Sequence, residues 1–156
     1  MSSVSVRGLV PNDLNAVWRI NQEGNEDIAK QEPLLTHFVS PAARGDFLDD
    51  IREDLNDDDH LHLVADKASN CVGWGHAYVV LEPDGLRVGY INALYVDRAA
   101  RGTGAGSALL AALTEWIKKQ SVDRVQLMTP SRASSRAFWA KHGFRPFTEM
   151  MVLEPA

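Results

Sequence analysis

Three glycines at alternate positions, Gly102, Gly104 and Gly106, separate a strand-like run from a helical one. The run before them, residues 87–96, is rich in aromatic and β-branched residues, which favour a strand. After them, apolar residues recur at helical spacing over residues 107–119. A glycine-rich loop that opens a helix exposes backbone N–H groups to a ligand without interference from Cβ atoms. The segment therefore predicts a phosphate or pyrophosphate site between a strand and a helix.

The periodicity of the rest of the chain predicts a sheet with helices on both of its faces. A first helix is expected to begin after Pro11 and to end at Gly24, and a second is expected over residues 41–56. A last helix is expected over residues 134–142. The remaining predicted strands are residues 5–10, 61–65, 71–81, 122–128 and 144–153.

Length and composition limit the kind of protein this can be. A chain of 156 residues, 45% of them hydrophobic, predicts one domain over residues 1–156. Its single cysteine, Cys71, has no intrachain partner. No apolar run approaches the roughly 20 residues that cross a bilayer, and the N-terminus does not resemble a secretory signal. We therefore expect no membrane association and a cytoplasmic location.

Charge is distributed unevenly along the chain. The formal net charge of −5 argues against a nucleic-acid partner. Residues 44–59 carry eight acidic side chains and two arginines, whereas the part from Asp97 onward has an excess of basic residues. The C-terminal part is thus suited to an anion and the acidic stretch to a cation, although on charge alone solvated surface is the favoured explanation of both.

The segment after the predicted strand resembles the acetyl-CoA motif of the GNAT (GCN5-related) N-acetyltransferases. The matching residues are Arg101, Gly104 and Gly106 after a strand that ends Leu94-Tyr95-Val96. Residues 135–144, a short helix that ends in Gly143-Phe144, are similar to the family's second motif. The resemblance implies an α/β fold with a mixed, mostly antiparallel sheet of six or seven strands and about four helices.

The same resemblance implies acetyl-CoA as co-substrate and no metal. The pantetheine arm would pair with the strand end, the pyrophosphate would bind the loop amides, and an amine would attack the thioester directly. The cofactor-binding residues expected on this basis are Leu94, Tyr95, Val96, Arg101, Gly102, Thr103, Gly104, Ala105, Gly106, Ser107 and Arg132.

The chain departs from the family pattern at the positions that commonly move protons. Asn92 stands where a carboxylate often acts as base, Trp139 replaces the tyrosine that protonates the thiolate, and Arg132 replaces an asparagine. An indole N–H is not a useful acid. Catalysis by positioning alone is therefore one expectation, and Asn92, His76 and Trp139 are the catalytic candidates.

Other chemically active residues have simpler explanations. His76 lies in a predicted strand near the cleft and is suited to relay a proton, but a packed strand histidine is the commoner case. His60 and His62 lie beside three consecutive aspartates, a pattern that suits a metal only if further ligands join them. Cys71 more simply packs as a small apolar residue.

The leading hypothesis is an acetyl-CoA-dependent N-acetyltransferase that acts on a primary amine, with a polycationic acceptor favoured by the acidic stretch. The alternative is a catalytically weak CoA-binding sensor or pseudoenzyme of the same fold. An ATP- or NAD-binding domain is disfavoured, because the glycine spacing matches neither nucleotide motif. Dimers are frequent in the family, so a homodimer is one state to expect.

Overall fold

The computed structural model describes residues 3–155 of the chain. Five strands form one sheet in the order β1-β2-β3-β4-β5. Neighbouring strands are antiparallel except for β4 and β5, which are parallel. The strands are β1 (Val4–Gly8), β2 (His60–Lys67), β3 (Asn70–Leu81), β4 (Arg87–Val96) and β5 (Arg124–Gln126).

Helices cover both faces of this sheet. Helix α1 (Leu14–Gln31) and helix α2 (Arg44–Asp54) lie on one face, where Val17, Ile20 and Ile51 pack against Val64 and Trp74. Helix α3 (Ala105–Lys118) covers the opposite face with Leu109, Leu113 and Ile117. A short helix α4 (Arg136–Lys141) follows β5. The mixed α/β class predicted from the sequence is confirmed.

The predicted number of strands is too high, since five are present among the described residues. Residues 144–153, predicted as a strand, form none, and Met150, Met151 and Leu153 are almost fully exposed there. A strand needs a partner along its length. Strand β5 has only three residues, so it offers no long edge on which this segment could pair.

The first helix does not end at Gly24, as the sequence suggested, but continues through it to Gln31. The glycine is needed for close packing rather than for a helix end. A Cβ at this position would lie 2.3 Å from Cδ1 of Tyr95, a residue of β4. Gly24 therefore lets α1 approach the strand that carries the candidate site.

None of the described helices has both the length and the hydropathy that a membrane span requires.

Candidate functional site

A cleft of about 440 Å³ opens where β4 and β5 separate. Strand β5 pairs with Val88, Gly89 and Tyr90 only. Beyond them, residues 127–130 lie on the opposite wall of the cleft, and residues 91–96 of β4 form its floor. The backbone of β4 is consequently unpaired on its β5 side at the point where the cleft begins.

A β-bulge in β4 re-aims one side chain into this cleft. His76 of β3 pairs with Ala93 and Ala77 pairs with Ile91, so Asn92 is the extra residue of the bulge. Bulges bend a strand and are common beside functional sites. The side chain of Asn92 is exposed at the cleft, and its Nδ2 lies 3.0 Å from Nδ1 of the buried His76.

The glycine loop forms the end of the cleft next to α3. Gly102 and Gly104 have φ values of 76° and 89°, in the left-handed region that disfavours side chains. The first backbone bond of the helix runs from Ala108 N to Gly104 O at 3.0 Å. The N–H groups of residues 105–107 therefore precede the helical ladder and lie at the positive end of the helix dipole, an arrangement that attracts anions.

Helix α1 supplies a carboxylate to the same end of the cleft. Asp27 accepts hydrogen bonds from Arg98 Nη2 at 2.8 Å and from Arg101 Nη2 at 2.7 Å. These bonds, with that from Arg98 the stronger influence, hold the pKa of Asp27 below its usual range. The arginine side chains are thus neutralised by α1, and the loop presents mainly backbone N–H groups to the cleft.

Sequence and structure comparisons assign this architecture. The sequence profile of the Acetyltransferase (GNAT) family matches residues 25–144. The chain belongs to the GNAT acetyltransferase family. No curated protein sequence matches it significantly.

Solved structures with the same fold have low sequence identity to this chain. A GCN5-related N-acetyltransferase from Ralstonia eutropha JMP134 is 21% identical, with a TM-score of 0.76 over 97% of this chain and 99% of that one. The aminoglycoside N-acetyltransferase AAC(6')-Iy, in complex with CoA, is 18% identical, with a TM-score of 0.74 over 99% and 96%. A glucosamine-6-phosphate N-acetyltransferase from Arabidopsis thaliana is also 18% identical, with a TM-score of 0.69 over 97% and 98%.

Most residues predicted from the GNAT motif lie together on the cleft. Those that line it are Leu94, Tyr95, Val96, Arg101, Gly102, Gly104, Ala105, Gly106 and Ser107. Thr103 lies within the same loop but not on the cleft wall, and its hydroxyl donates to the carbonyl of Ala100. Arg132 lies in a separate depression with Glu32 and Glu154.

Tyr95, at the end of β4, lines the cleft but also contacts α1. Its ring packs against Gly24, and its hydroxyl donates to Asn25 Oδ1 at 3.1 Å. Burial raises the pKa of this tyrosine to about 12. The phenol therefore stays protonated and ties α1 to β4.

Trp139, which replaces the tyrosine of the GNAT second motif, lines the cleft from α4. Its ring packs edge-on against Phe138 and Phe144, with centroid distances of 5.1 and 5.6 Å. The neighbouring Phe138 lies 3.7 Å from the Cβ that a side chain at Gly106 would add. The pair of aromatic rings thus forms an apolar wall beside the glycine loop.

Sequence reasoning missed the residues of α1 and of the 127–138 segment that complete the cleft. Asp27, Ile28 and Gln31 come from α1, and Met128 and Ser134 from the opposite wall. Gln31 Oε1 accepts a hydrogen bond from the backbone N–H of Ser134 at 2.6 Å. No local signal marks such residues, because contacts across about a hundred positions place them here.

Proposed function

We propose that this protein transfers an acetyl group from acetyl-CoA to a primary amine by direct attack in a ternary complex. The observation that carries the proposal is the adjacency of two backbone features on one cleft. The unpaired edge of β4 over residues 91–96 suits an extended pantetheine arm, and the free N–H groups of residues 105–107 suit its pyrophosphate.

The reaction requires little of the protein beyond holding the thioester and the amine in position. A main-chain amide of β4 near the bulge would polarise the thioester carbonyl, as a preorganised donor does for a developing oxyanion. The thiolate of CoA is a good leaving group, so holding the amine next to the carbonyl supplies much of the acceleration. This suits a site whose wall carries Trp139 instead of an acid.

A cationic acceptor is supported by the surface of α2. Asp46, Asp49, Asp50 and Glu53 are exposed on this helix, which packs on the same face of the sheet as α1, and α1 lines the cleft. An amine arrives mainly protonated, and a negative protein surface raises its local concentration. We propose a polycationic amine as the acceptor class. The AAC(6')-Iy neighbour, whose name describes an aminoglycoside acetyltransferase, offers a precedent within the fold.

A second candidate function is CoA binding without efficient catalysis. It is favoured by two observations, the neutral amide of Asn92 on the cleft floor and the indole of Trp139 on its wall. Both occupy positions where the family commonly has a group that ionises. A sensor of this kind would bind CoA as tightly as the enzyme but would release no thiol.

Thiol release from acetyl-CoA separates the two candidates. We expect turnover with at least one of spermidine, kanamycin and a lysine-rich peptide, and tight CoA binding by calorimetry with no binding of ATP or NAD. Tight CoA binding without thiol release on any amine would favour the sensor. Binding of ATP or NAD in preference to CoA would contradict both candidates.

The extent of the domain over residues 1–156, the cytoplasmic location and the homodimer stay predictions.

A further inference from the structure

A cluster of three histidines and one aspartate lies directly behind Asn92. Its members are Asp54 at the end of α2, His60 and His62 on β2, and His76 on β3, and we refer to them as the histidine cluster. His62 and His76 are buried, with side chains 1% and 7% exposed. Asp54 and His60 are partly exposed. The cluster therefore reaches from the cleft side of the sheet to solvent near α2.

The hydrogen bond from Trp74 fixes the tautomer of His62. The indole Nε1–H donates to His62 Nδ1 at 3.2 Å, so Nδ1 carries a lone pair and the ring proton is on Nε2. That Nε2–H donates to Asp54 Oδ2 at 2.8 Å. Asp54 therefore accepts a hydrogen bond from a neutral, buried histidine.

The same tautomer argues against a metal centre, although ligand atoms of Asp54, His62 and His76 all lie within 4.8 Å of one another. A metal at His62 would take the Nε2 lone pair and force the proton onto Nδ1, opposite another donor, Trp74 Nε1–H. Metal-binding histidines normally donate their second N–H to an acceptor. The Trp74 indole N–H is a donor and cannot accept that hydrogen bond.

His76 connects Asn92 to the rest of the cluster. Its Nδ1 faces Asn92 Nδ2 at 3.0 Å on the cleft side. Its Nε2 lies 3.0 Å from His60 Nδ1 and 3.5 Å from Asp54 Oδ2 on the other side. Because the amide donates to Nδ1, the ring proton of His76 is on Nε2 and points toward His60. In this tautomer Nδ1 can accept a proton on the Asn92 side while Nε2 releases one toward His60.

The surroundings of His76 keep its ring neutral. Burial, and after it the neighbouring His62 and His60, lower the pKa of His76 to about 2. The doubly protonated ring is therefore disfavoured, so a proton can arrive at Nδ1 only as the Nε2 proton leaves. His60 lies 3.3 Å from Asp54 Oδ1 and 4.0 Å from Asp57 Oδ2, two carboxylates that attract positive charge on its ring.

We propose that the proton of the acceptor ammonium leaves the cleft through His76 to His60, with Asp54 stabilising the protonated His60. The inference rests on the proposed acetyl transfer and names its proton route. Asn92 covers Nδ1 of His76, and because its side chain is exposed it can rotate aside when the acceptor binds. Asn92 is thus a positioning residue at the entrance of the route.

The N–H bond of the ammonium breaks, and its proton binds His76 Nδ1 while the Nε2 proton of His76 passes to His60 Nδ1. The neutral amine attacks the thioester carbon, the C–S bond breaks with its electron pair on sulfur, and a second amine proton neutralises the thiolate. His60 releases one proton to solvent per turnover, and His76 regains its tautomer by exchange with water.

Few charged groups act on His76 from the elements packed around it. Helix α2 contributes the carboxylate of Asp54, and β2 contributes His60 and His62. On β3, the ring of Tyr78 lies 5.8 Å from His76, and burial raises the pKa of that phenol, so it stays neutral. Strand β4 contributes the neutral Asn92. Asp54 is therefore the ionised group that sets the direction of proton movement.

The test is the pH dependence of kcat/KM for His76→Gln, with the amine that the wild type acetylates fastest. General base catalysis is worth about 10²–10⁴-fold, so we expect a loss of about 100-fold near pH 7. The deficit should shrink at least about tenfold by pH 9.5, because the acceptor then arrives deprotonated. The affinity for CoA, measured by calorimetry, should not change.

A second variant on α2 and a control on α3 extend the test. Asp54→Asn should show the same pH-dependent loss, whereas Glu115→Gln, an equal charge change on an exposed side chain of α3, should keep the wild-type profile. Both are measured in about 0.5 M salt, where long-range charge effects are screened. Asp54→Asn also carries the test if His76→Gln fails to fold.

The contrary outcomes are distinguishable. A deficit of the same size at every pH, in an active enzyme, would overturn the relay and leave the proposed function intact. One tightly bound Zn²⁺ per wild-type chain, lost in His62→Gln, would replace the relay with a metal site. A wild type that binds CoA but acetylates no amine overturns the proposed function and the relay together.

Discussion

The glycine loop lines the cleft and the histidine cluster lies behind Asn92 on the cleft floor, and the two are built in opposite ways. The loop is seven consecutive residues, 101–107, that act through backbone N–H groups and positive φ angles. The cluster joins side chains from α2, β2 and β3 to Asn92 at a bulge in β4. A backbone site is sensitive to conformation and tolerant of most side-chain chemistry. A side-chain site depends on which atom carries each proton.

The largest effect that tests this contrast is expected at Gly104. Gly104→Val forces a β-branched residue toward φ of 89°, at a cost of about 1–3 kcal/mol. The free loop relaxes, and CoA must restore the conformation, so we expect affinity to fall roughly 5- to 150-fold. Calorimetry with CoA measures the change.

Gly85→Val is the matched control. Gly85 has φ of 87°, and a Cβ would meet nothing within 4 Å at either glycine. Both variants should therefore lose similar stability, but only Gly104→Val should lose CoA affinity. Unchanged affinity in a folded Gly104→Val protein would refute the loop as the pyrophosphate site.

A substitution at Gly24 tests how closely α1 packs against β4, the strand that leads into the glycine loop. An added Cβ would lie 2.3 Å from Cδ1 of Tyr95, so Gly24→Ala overpacks the contact. We expect the free energy of unfolding to fall by about 1–3 kcal/mol, measured by urea denaturation. Gly45→Ala in α2, where a Cβ meets nothing within 4 Å, should instead be neutral or stabilising by about 0.5–1 kcal/mol. Equal effects of the two changes would contradict the close approach of α1 to β4.

The acidic surface of α2 should have a smaller, salt-dependent effect on the acceptor side. With a polycationic amine, kcat/KM should fall about threefold as ionic strength rises past the range where the Debye length is about 10 Å. Asp50→Asn should remove part of this dependence, and Glu115→Gln on α3 should not. Indifference of kcat/KM to both salt and Asp50→Asn would mean that these acids only solvate the helix.

The smallest effect is expected at Trp139, which contributes shape rather than a proton. Trp139→Phe keeps an apolar wall, so turnover should stay within about threefold, and Trp139→Tyr should raise it by supplying an acid. Steady-state kinetics with saturating acetyl-CoA measures both. A loss of several hundredfold in Trp139→Phe, with CoA binding intact, would show that the indole has a direct chemical role.

The prediction of elements from the sequence succeeded where pattern and packing agree. Strand β4 has the bounds that its β-branched and aromatic run predicted, and α3 begins two residues before the expected start. It failed at Gly24, because a glycine that ends a helix and one that admits a neighbouring ring look alike in sequence. It also failed at residues 144–153, where an apolar pattern favours a strand but no partner is available.

The sequence by itself determined the glycine loop, because residues 101–107 are contiguous and their conformational freedom is a local property of glycine. It also singled out Asn92 and His76 as candidates, but not the atoms that join them. Only the tertiary structure decided that Asp54, eight residues before His62 in the chain, meets His76 and His60, and that Trp74 fixes a tautomer. Proton positions follow from three-dimensional hydrogen-bond partners, and strand register and a bulge, rather than sequence spacing, bring those partners together.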